Sequence, residues 1–360
     1  MTAVKHRLHY FDMLKGIAIF MVVMGHVLTM CVREIDRAAL FKFIGAVHMP
    51  LFFFISGWMT YRADGRGPGL LKRSAQLLAP MFFMSTLWIW YFPHSGLQSP
   101  LDSTFRGLWL DSWKNGYWFT LVLFEIIAVY AAIRPLLARA KSIAIEIAIY
   151  AIAWCVLFLI CFFFNGSTIL DILSVKLMIG FFPVFCVGAI AHRHKEEFEH
   201  AVESSSVVTV AFIAGAVAIY LECWPWEFSW LEEWMGNFFR IILHVSLAII
   251  GIAVVKPWSI VAFGEKSPSG AHPLARMWAY IGRESLAVYL LHYFFLFPLG
   301  IARDMLLGVG LSFVPLLAFS TIVAAVIVAV VLCANRVLQP SSLLSWLMCG
   351  RLPEYIKKIK

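Results

Sequence analysis

Two titratable side chains in one apolar segment have the types and the spacing to do chemistry together. Lys15 and His26 lie 11 residues apart in FDMLKGIAIFMVVMGH, residues 11–26. On an α-helix of about 3.6 residues per turn, this spacing puts both side chains on one face, separated by roughly 16 Å along the axis. Ionisable residues are costly inside a membrane and usually serve a function there. A neutral histidine is a suitable general base, because its ordinary pKa is about 6.5.

The elements that must position these residues are membrane-spanning helices. Hydrophobic residues make up 61% of the 360 residues and charged residues only 14%, whereas about 25% of residues are charged in soluble domains. Apolar runs near 20 residues long recur along the chain, which predicts an all-α polytopic membrane protein with about ten transmembrane helices. The predicted spans are residues 12–32, 42–61, 75–92, 117–136, 143–164, 174–191, 206–222, 235–255, 277–299 and 312–335.

The segments between the spans are too short for a separate soluble domain. We therefore predict a single membrane domain, residues 1–338, and a short basic cytoplasmic tail, residues 339–360, that lies on the anionic inner leaflet. Most lysines and arginines flank the span ends on the side of the N terminus, which places both termini in the cytoplasm. The net charge of +8 comes from these short loops and does not indicate nucleic acid. The seven cysteines have no CxxC spacing and are interpreted as packing residues.

Five titratable side chains on five different spans fall at a similar predicted depth, in the outer-to-middle part of the bilayer. They are His26, His48, Glu125, His244 and His292. Because lipid exposure would cost several kcal/mol for each group, the set predicts one shared polar chamber. The alternative is that each histidine is hydrogen-bonded alone within the bundle. A metal site is disfavoured, since no two of these histidines share a helix at a spacing of three or four residues.

Within this chamber the candidate catalytic residues surround His26. A carboxylate such as Glu125 could orient a histidine or stabilise its charged form. Tyr289 precedes His292 by three residues, so both side chains face one side of the ninth span. The candidate catalytic residues are His26, Glu125, His48, His292 and Tyr289.

Basic residues near the cytoplasmic side could bind the phosphates of a coenzyme A thioester. An extended pantetheine arm is of the same order of length as the roughly 16 Å rise from Lys15 to His26, so an acyl group could reach the histidine. Each of these bases also has an explanation without a ligand. Lys15 could extend its ammonium group into the lipid headgroup layer. Lys72 and Arg73 could simply follow the positive-inside rule. The residue at position 12 could cap the first span or pair with the lysine. The candidate cofactor-binding residues are Lys15, Lys72, Arg73, Asp12 and Ser56.

The segments that carry these residues resemble those of acyltransferase family 3, the integral-membrane acyltransferases of sugars and polysaccharides. FDMLKGIAIFMVVMGH resembles the family's first-helix motif, in which a basic residue precedes the essential histidine. Lys15 departs from the family's usual arginine, because lysine keeps the charge but lacks the planar bidentate fork. Further segments resemble family motifs in the same order along residues 7–295: HMPLFFFISGW (48–58), LLKRSAQLLAP (70–80), YWFTLVLFE (117–125), FPVFCVGAIAHR (182–193) and YIGRESLAVYLLH (280–292).

The resemblance implies an acyl-CoA-dependent O-acyltransferase of the bacterial inner membrane, similar to stand-alone O-acetylases. Acetyl-CoA or another acyl-CoA would be the donor, and a hydroxyl of a cell-envelope glycan or lipid-linked sugar would be the acceptor. His26 would be the catalytic histidine, either as general base or as a covalent carrier of the acyl group. The alternative from another class is a transporter or flippase of a glycan or lipid, in which buried histidines and Glu125 form a proton path. The sequence does not indicate an oligomeric state.

Overall fold

The computed structural model describes residues 8–32, 35–62, 69–94, 105–222, 229–263, 272–296 and 312–357, and within these ranges the chain is helical without strands. The helices of the first half are α1 (His9–Cys31), α2 (Ala39–Thr60), α3 (Leu70–His94), α4 (Phe105–Leu110), α5 (Trp118–Leu137), α6 (Ile143–Phe163) and α7 (Thr168–Ile172). Those of the second half are α8 (Val175–Arg193), α9 (Lys195–Glu203), α10 (Ser205–Glu222), α11 (Ser229–Phe263), α12 (Pro273–Arg283), α13 (Ser285–Leu291), α14 (Phe313–Leu338), α15 (Ser342–Cys349) and α16 (Glu354–Lys357). Short 3₁₀ turns lie at Ile35–Arg37, Lys114–Gly116 and His292–Phe295.

The long apolar helices confirm an all-α polytopic membrane protein. Seven helices in the described part of the chain are long and apolar enough to cross a membrane: α1, α2, α5, α6, α8, α11 and α14. Helices α9 and α10 meet at a bend of 81° and together would form an eighth span. Helix α3 occupies the position of the predicted span 75–92. The segment from α12 to the 3₁₀ turn at His292–Phe295 occupies that of the predicted span 277–299.

The predicted ninth span, residues 277–299, is divided rather than continuous. Helix α12 ends at Arg283, α13 begins at Ser285, and the backbone tightens into the 3₁₀ turn at His292. The carboxylate of Glu284, the residue at the break, binds Arg351 and Asn335. These partners lie far along the chain, which explains why the apolar pattern alone did not predict the break. Residues 297–299 lie outside the described residues.

Two pairs of glycines bring helix backbones into direct contact. A Cβ on Gly16 of α1 would overlap the carbonyl of Trp278, and one on Gly282 of α12 would overlap the carbonyl of Asp12. Gly57 of α2 and Gly188 of α8 form a second pair of the same kind. Small residues allow this close approach, on which helix association in membranes depends. The first pair fixes α12 against the helix that carries His26.

The C-terminal tail packs on the bundle. Trp346 of α15 donates its indole N–H to the carbonyl of Ala75 in α3, at 2.7 Å. The tail therefore contacts protein through α15, and its position on the lipid surface remains a prediction. Lys72, Arg283 and Arg351 line one pocket beside this contact, and Gly282 packs against the start of α1. We name this end of the bundle the basic end.

Candidate active site

His26 and two residues of the 3₁₀ turn form a compact cluster inside the bundle. The half-buried ring of His26 lies five residues before the end of α1. Its Nε2 atom is 2.9 Å from Oη of Tyr293, and its ring centroid is 5.2 Å from that of His292. We name these three residues the histidine–tyrosine cluster. The Nδ1 atom of His26 has no hydrogen-bond partner among the described residues.

The protonation of His292 follows from its surroundings. The residue is fully buried, and Nδ1 lies 3.0 Å from the carbonyl oxygen of Val288. Because a carbonyl oxygen only accepts hydrogen bonds, Nδ1 carries a hydrogen, and in the neutral ring Nε2 then carries the lone pair. Nε2 has no partner within the described part of the chain. His292 thus presents a buried hydrogen-bond acceptor next to His26.

The hydroxyl of Tyr293 is positioned by the strained turn before α5. Lys114, Asn115 and Gly116 all have positive φ, of 48°, 51° and 92°, and such strain clusters at functional sites. A Cβ on Gly116 would overlap Oη of Tyr293 and would lie 3.0 Å from Cε1. The ring of Tyr293 also packs on Tyr117, with centroids 5.0 Å apart. Glycine at 116 therefore leaves the space that the Tyr293 hydroxyl needs to reach His26.

A buried lysine stabilises the same turn. Nζ of Lys114 donates to the carbonyls of Trp109 at 3.3 Å, Asp111 at 2.6 Å and Asp171 at 2.7 Å. These three acceptors match the three donors of an ammonium group. Burial lowers the pKa of Lys114, and nearby Asp111 offsets part of this effect. Lys114 therefore stabilises, through three hydrogen bonds, the turn that contacts the histidine–tyrosine cluster.

Tyr289 connects two of the motif segments. Its Oη donates to the carbonyl of Gly116 at 2.8 Å and accepts from the backbone N–H of Phe119 at 3.2 Å. Tyr117 donates in the opposite direction, to the carbonyl of Leu290 at 3.1 Å. The hydroxyl of Tyr289 is thus engaged as donor and as acceptor. This geometry makes Tyr289 a positioning residue, and its predicted catalytic role remains a prediction.

The other members of the predicted chamber make no ring contact or hydrogen bond with the cluster among the described residues. His48 is hydrogen-bonded through Nδ1 to the carbonyl of Ile44, and it is close enough to His26 and His244 to interact electrostatically. The ring of His244 stacks on Phe181, with centroids 6.0 Å apart. Both carboxylate oxygens of Glu125 are buried without a hydrogen-bond partner in the described ranges. Of the five predicted groups, only His26 and His292 are therefore in ring contact.

A polar pocket of about 430 Å³ opens at the basic end. Its charged lining consists of Lys72 from α3, Arg283 from α12, Arg351 from the C-terminal tail and the carboxylate of Glu284. Glu284 is paired with Arg351, at 2.5 Å between Oε2 and Nη2. Three cations and one carboxylate make this pocket suited to an anion, since such charges form short hydrogen bonds to phosphate.

The structure places the other predicted cofactor-binding residues outside this lining. Lys15 pairs with the buried Asp12, at 2.9 Å between Nζ and Oδ1. Arg73 donates to Oε1 of Gln76 at 3.3 Å, so it contacts the pocket wall indirectly. Ser56 lies half-buried in α2, where its carbonyl accepts from Thr60 at 2.7 Å. Their roles in cofactor binding remain predictions.

Sequence reasoning missed Arg283 and Arg351 as pocket residues. Arg283 lies within YIGRESLAVYLLH, so its motif position was an available signal. Arg351 follows the last span, in a segment whose sequence indicates only a basic tail. Its place in the pocket arises from the docking of α15 on α3.

Helix α13 connects the pocket to the histidine–tyrosine cluster. Glu284, Leu286 and Ala287 line the pocket, and α13 ends at Leu291, directly before His292. Eight residues separate Glu284 from His292, which corresponds to a rise of roughly 12 Å. The pocket and the cluster are therefore separated by roughly this distance along α13.

These features define a polytopic helical membrane protein with a histidine–tyrosine centre inside the bundle and a cationic pocket at one end. The chain belongs to acyltransferase family 3, because the family's sequence model, described as an acyltransferase domain, matches residues 8–334. The chain is 32% identical over 152 residues to nodulation protein NolL of Mesorhizobium japonicum, covering 38% of this chain and 40% of the relative. It is 34% identical over 134 residues to NolL of Sinorhizobium fredii, covering 34% and 36%. The matched parts thus span about two fifths of the length of these relatives. No solved structure matches the chain.

Proposed function

We propose that this protein is an inner-membrane O-acyltransferase that moves an acyl group, commonly acetyl, from acyl-CoA to a hydroxyl of a cell-envelope glycan or glycolipid. One observation carries the proposal: a cationic pocket and a histidine–tyrosine cluster lie at the two ends of α13. Membership of acyltransferase family 3 supports the reaction type.

In this proposal the basic end faces the cytoplasm, where acyl-CoA is available. The positive-inside rule supports that orientation. The cations of the pocket hold the nucleotide phosphates, and the pantetheine arm follows α13 towards His26. The roughly 12 Å rise along α13 is of the order that this arm can cover.

His26 then acts on the acceptor hydroxyl. This step uses the tautomer of His26 in which Nε2–H donates to Oη of Tyr293, 2.9 Å away, and Nδ1 carries the lone pair. Nδ1 accepts the proton of the hydroxyl while that oxygen attacks the thioester carbonyl and the carbon–sulfur bond breaks. The leaving thiolate takes the proton from Nδ1, so His26 ends neutral. A route through an acyl-histidine uses the same nitrogen as nucleophile.

Acetyl transfer by purified protein tests the proposal. Wild-type protein in detergent, supplied with acetyl-CoA and an envelope-glycan extract, should release coenzyme A and acetylate glycan. His26→Ala should reduce both to background without lowering the amount of folded protein. His200→Ala is the matched control, because His200 is an exposed histidine of α9. Wild-type rates in His26→Ala would refute the assignment. Absence of acyl transfer by wild-type protein, together with proton-coupled flux in liposomes, would favour the transporter alternative.

A further inference from the structure

We propose that the C-terminal arm, residues 341–352, forms a wall of the acyl donor's phosphate site and that Arg351 is a phosphate-binding residue. This inference rests on the proposed function and adds a segment to its site. The arm follows residues 8–334, the part of the chain that the family's sequence model matches. The docking of the arm, the shape of its last turn and the charges of the pocket support the proposal.

The arm is fixed to the bundle by directed hydrogen bonds. Ser341 caps the start of α15, where its Oγ accepts from the N–H of Leu344 at 3.3 Å. Trp346 donates to the carbonyl of Ala75 at 2.7 Å. After the helix, the N–H of Arg351 donates to the carbonyl of Ser345 at 3.1 Å. These contacts hold the backbone of Arg351 at the edge of α3.

The last turn of the arm directs Arg351 into the pocket. Gly350 ends α15 in the left-handed conformation, with φ of 70°, which is the usual role of glycine after a helix. A Cβ on Gly350 would overlap the side chain of Leu286 and lie 3.2 Å from the carbonyl of Gln76. Glycine therefore satisfies two requirements at once, the turn and the close contact with α3 and α13.

The guanidinium of Arg351 is oriented by two polar neighbours. Nη2 is 2.5 Å from Oε2 of Glu284, which also accepts from Asn335 at 2.9 Å. With its amide oxygen facing the arm, Gln339 accepts from Nη1 at 2.8 Å and from Nη2 at 2.9 Å. A guanidinium has five N–H donors, and these contacts use three of them. Among the described residues, the other two donors have no partner and are available to a ligand.

The pocket favours a ligand that carries phosphate. Lys72 and Arg283 join Arg351 in the lining, with Glu284 as the single carboxylate among the lining residues. The volume of about 430 Å³ lies within the range of small-molecule sites. Arginine binds phosphate through paired N–H donors. Phosphate could belong to the nucleotide end of the acyl donor or to an anionic lipid headgroup, and we infer the acyl donor because α13 leads from this pocket to His292.

Two acyl donors separate phosphate recognition from chemistry. Acetyl-CoA carries the nucleotide phosphates, whereas acetyl-pantetheine has the same thioester without them. Kinetics of Arg351→Gln and Arg351→Lys would be measured with both donors, in vesicles of phosphatidylcholine alone and in vesicles that also contain phosphatidylglycerol. Arg336→Gln is the matched control, because Arg336 lies at the same end and contacts Tyr280 rather than the pocket.

We expect Arg351→Gln to raise KM for acetyl-CoA about tenfold or more, the usual effect of losing a charged hydrogen bond, with kcat unchanged. Arg351→Lys should recover part of the loss. The control should match wild type, and kcat/KM for acetyl-pantetheine should be equal in all proteins. An unchanged KM for acetyl-CoA, or an equal loss with both donors, would overturn the inference. A loss confined to vesicles with phosphatidylglycerol would assign the pocket to lipid headgroups instead. Failure of wild-type protein to use either donor would count against the proposed function itself.

Discussion

Replacing Tyr293 by phenylalanine tests the geometry of the histidine–tyrosine cluster most directly. The substitution removes one atom, the Oη that lies 2.9 Å from Nε2 of His26. The ring is 1% exposed and packs on Tyr117 and His292, with centroids 5.0 Å and 4.1 Å away. Phenylalanine keeps this packing, so the effect should be confined to the hydrogen bond.

The hydrogen bond should matter more when His26 is charged. A neutral hydrogen bond contributes about 1 kcal/mol net, and one to a charged group about 1.5–3 kcal/mol. His26 gains a proton in the proposed transition state, so the bond from Nε2–H to Tyr293 is strongest there. Only the difference between the two contributions, about 0.5–2 kcal/mol, affects kcat. With 1.36 kcal/mol for each factor of ten, kcat should therefore fall about 2- to 30-fold. KM for the acyl donor should not change, because the phosphates bind at the other end of α13.

The assay is coenzyme A release and glycan acetylation by purified protein, with His26→Ala as the inactive reference. Tyr150→Phe is the matched control, because Tyr150 is also a buried tyrosine but lies on α6, away from the cluster. A Tyr293→Phe enzyme with the wild-type rate would show that the hydrogen bond has no part in catalysis. A rate as low as that of His26→Ala would also refute the reasoning, because Tyr293 would then be essential rather than a positioning residue.

Three further substitutions follow from the packing and charge of the described residues. Gly116→Ala should lower kcat because the added Cβ displaces the Tyr293 hydroxyl. In the double variant with Tyr293→Phe, the loss of transition-state stabilisation should be smaller than the sum of the two single losses. Additive losses would contradict the shared cause. Gly282→Ala should lower the thermal unfolding midpoint by several degrees, because the added Cβ overlaps the carbonyl of Asp12. Gly45→Ala is the control and should not lower the midpoint, because position 45 has open space around it. Equal midpoints for the two variants would exclude the close contact at Gly282. Burial raises the pKa of Cys349 to about 11. Maleimide should therefore label this thiol slowly at pH 8, three units below that pKa. Labelling should be faster in Trp346→Ala, because the arm then loses its hydrogen bond to α3. Peptide mass spectrometry would measure the labelling, and equal rates in the two proteins would contradict the docking of the arm.

The sequence predicted the membrane helices well because hydropathy is a local property. Helix α1, at His9–Cys31, agrees with the predicted first span, 12–32, to within three residues at each end. Helix α14, at Phe313–Leu338, agrees equally well with the last predicted span, 312–335. The break at Glu284 was not predicted, and the contacts of the carboxylate at the break are not local. The carboxylate of Glu284 pairs with Arg351, 67 residues later. A single sequence contains no signal for such a contact.

The same distinction applies to the candidate site. His26 and His292 were predicted from their depth, and the structure brings the two rings together. Lys72 was predicted from its position at the end of a span, and the structure places it in the pocket. Tyr293 was missed because its hydroxyl bonds to a residue 267 positions away. Its aromatic ring is otherwise one of many in an apolar run. Glu125 was also predicted from its depth, but depth does not determine which neighbour a side chain faces.

Several residues in or next to the motif segments hold one hydrogen bond in place, the contact between His26 and Tyr293. Gly116 leaves space for the hydroxyl of Tyr293, and Tyr289 anchors the carbonyl of Gly116 at 2.8 Å. Gly282 holds α12 against α1, so the turn that carries Tyr293 and the helix that carries His26 keep a fixed separation. Loss of activity after substitution at any of these positions would therefore not identify a catalytic residue. A positioning role predicts that kcat falls together with the His26–Tyr293 contact, whereas a catalytic role predicts that kcat falls while the contact remains.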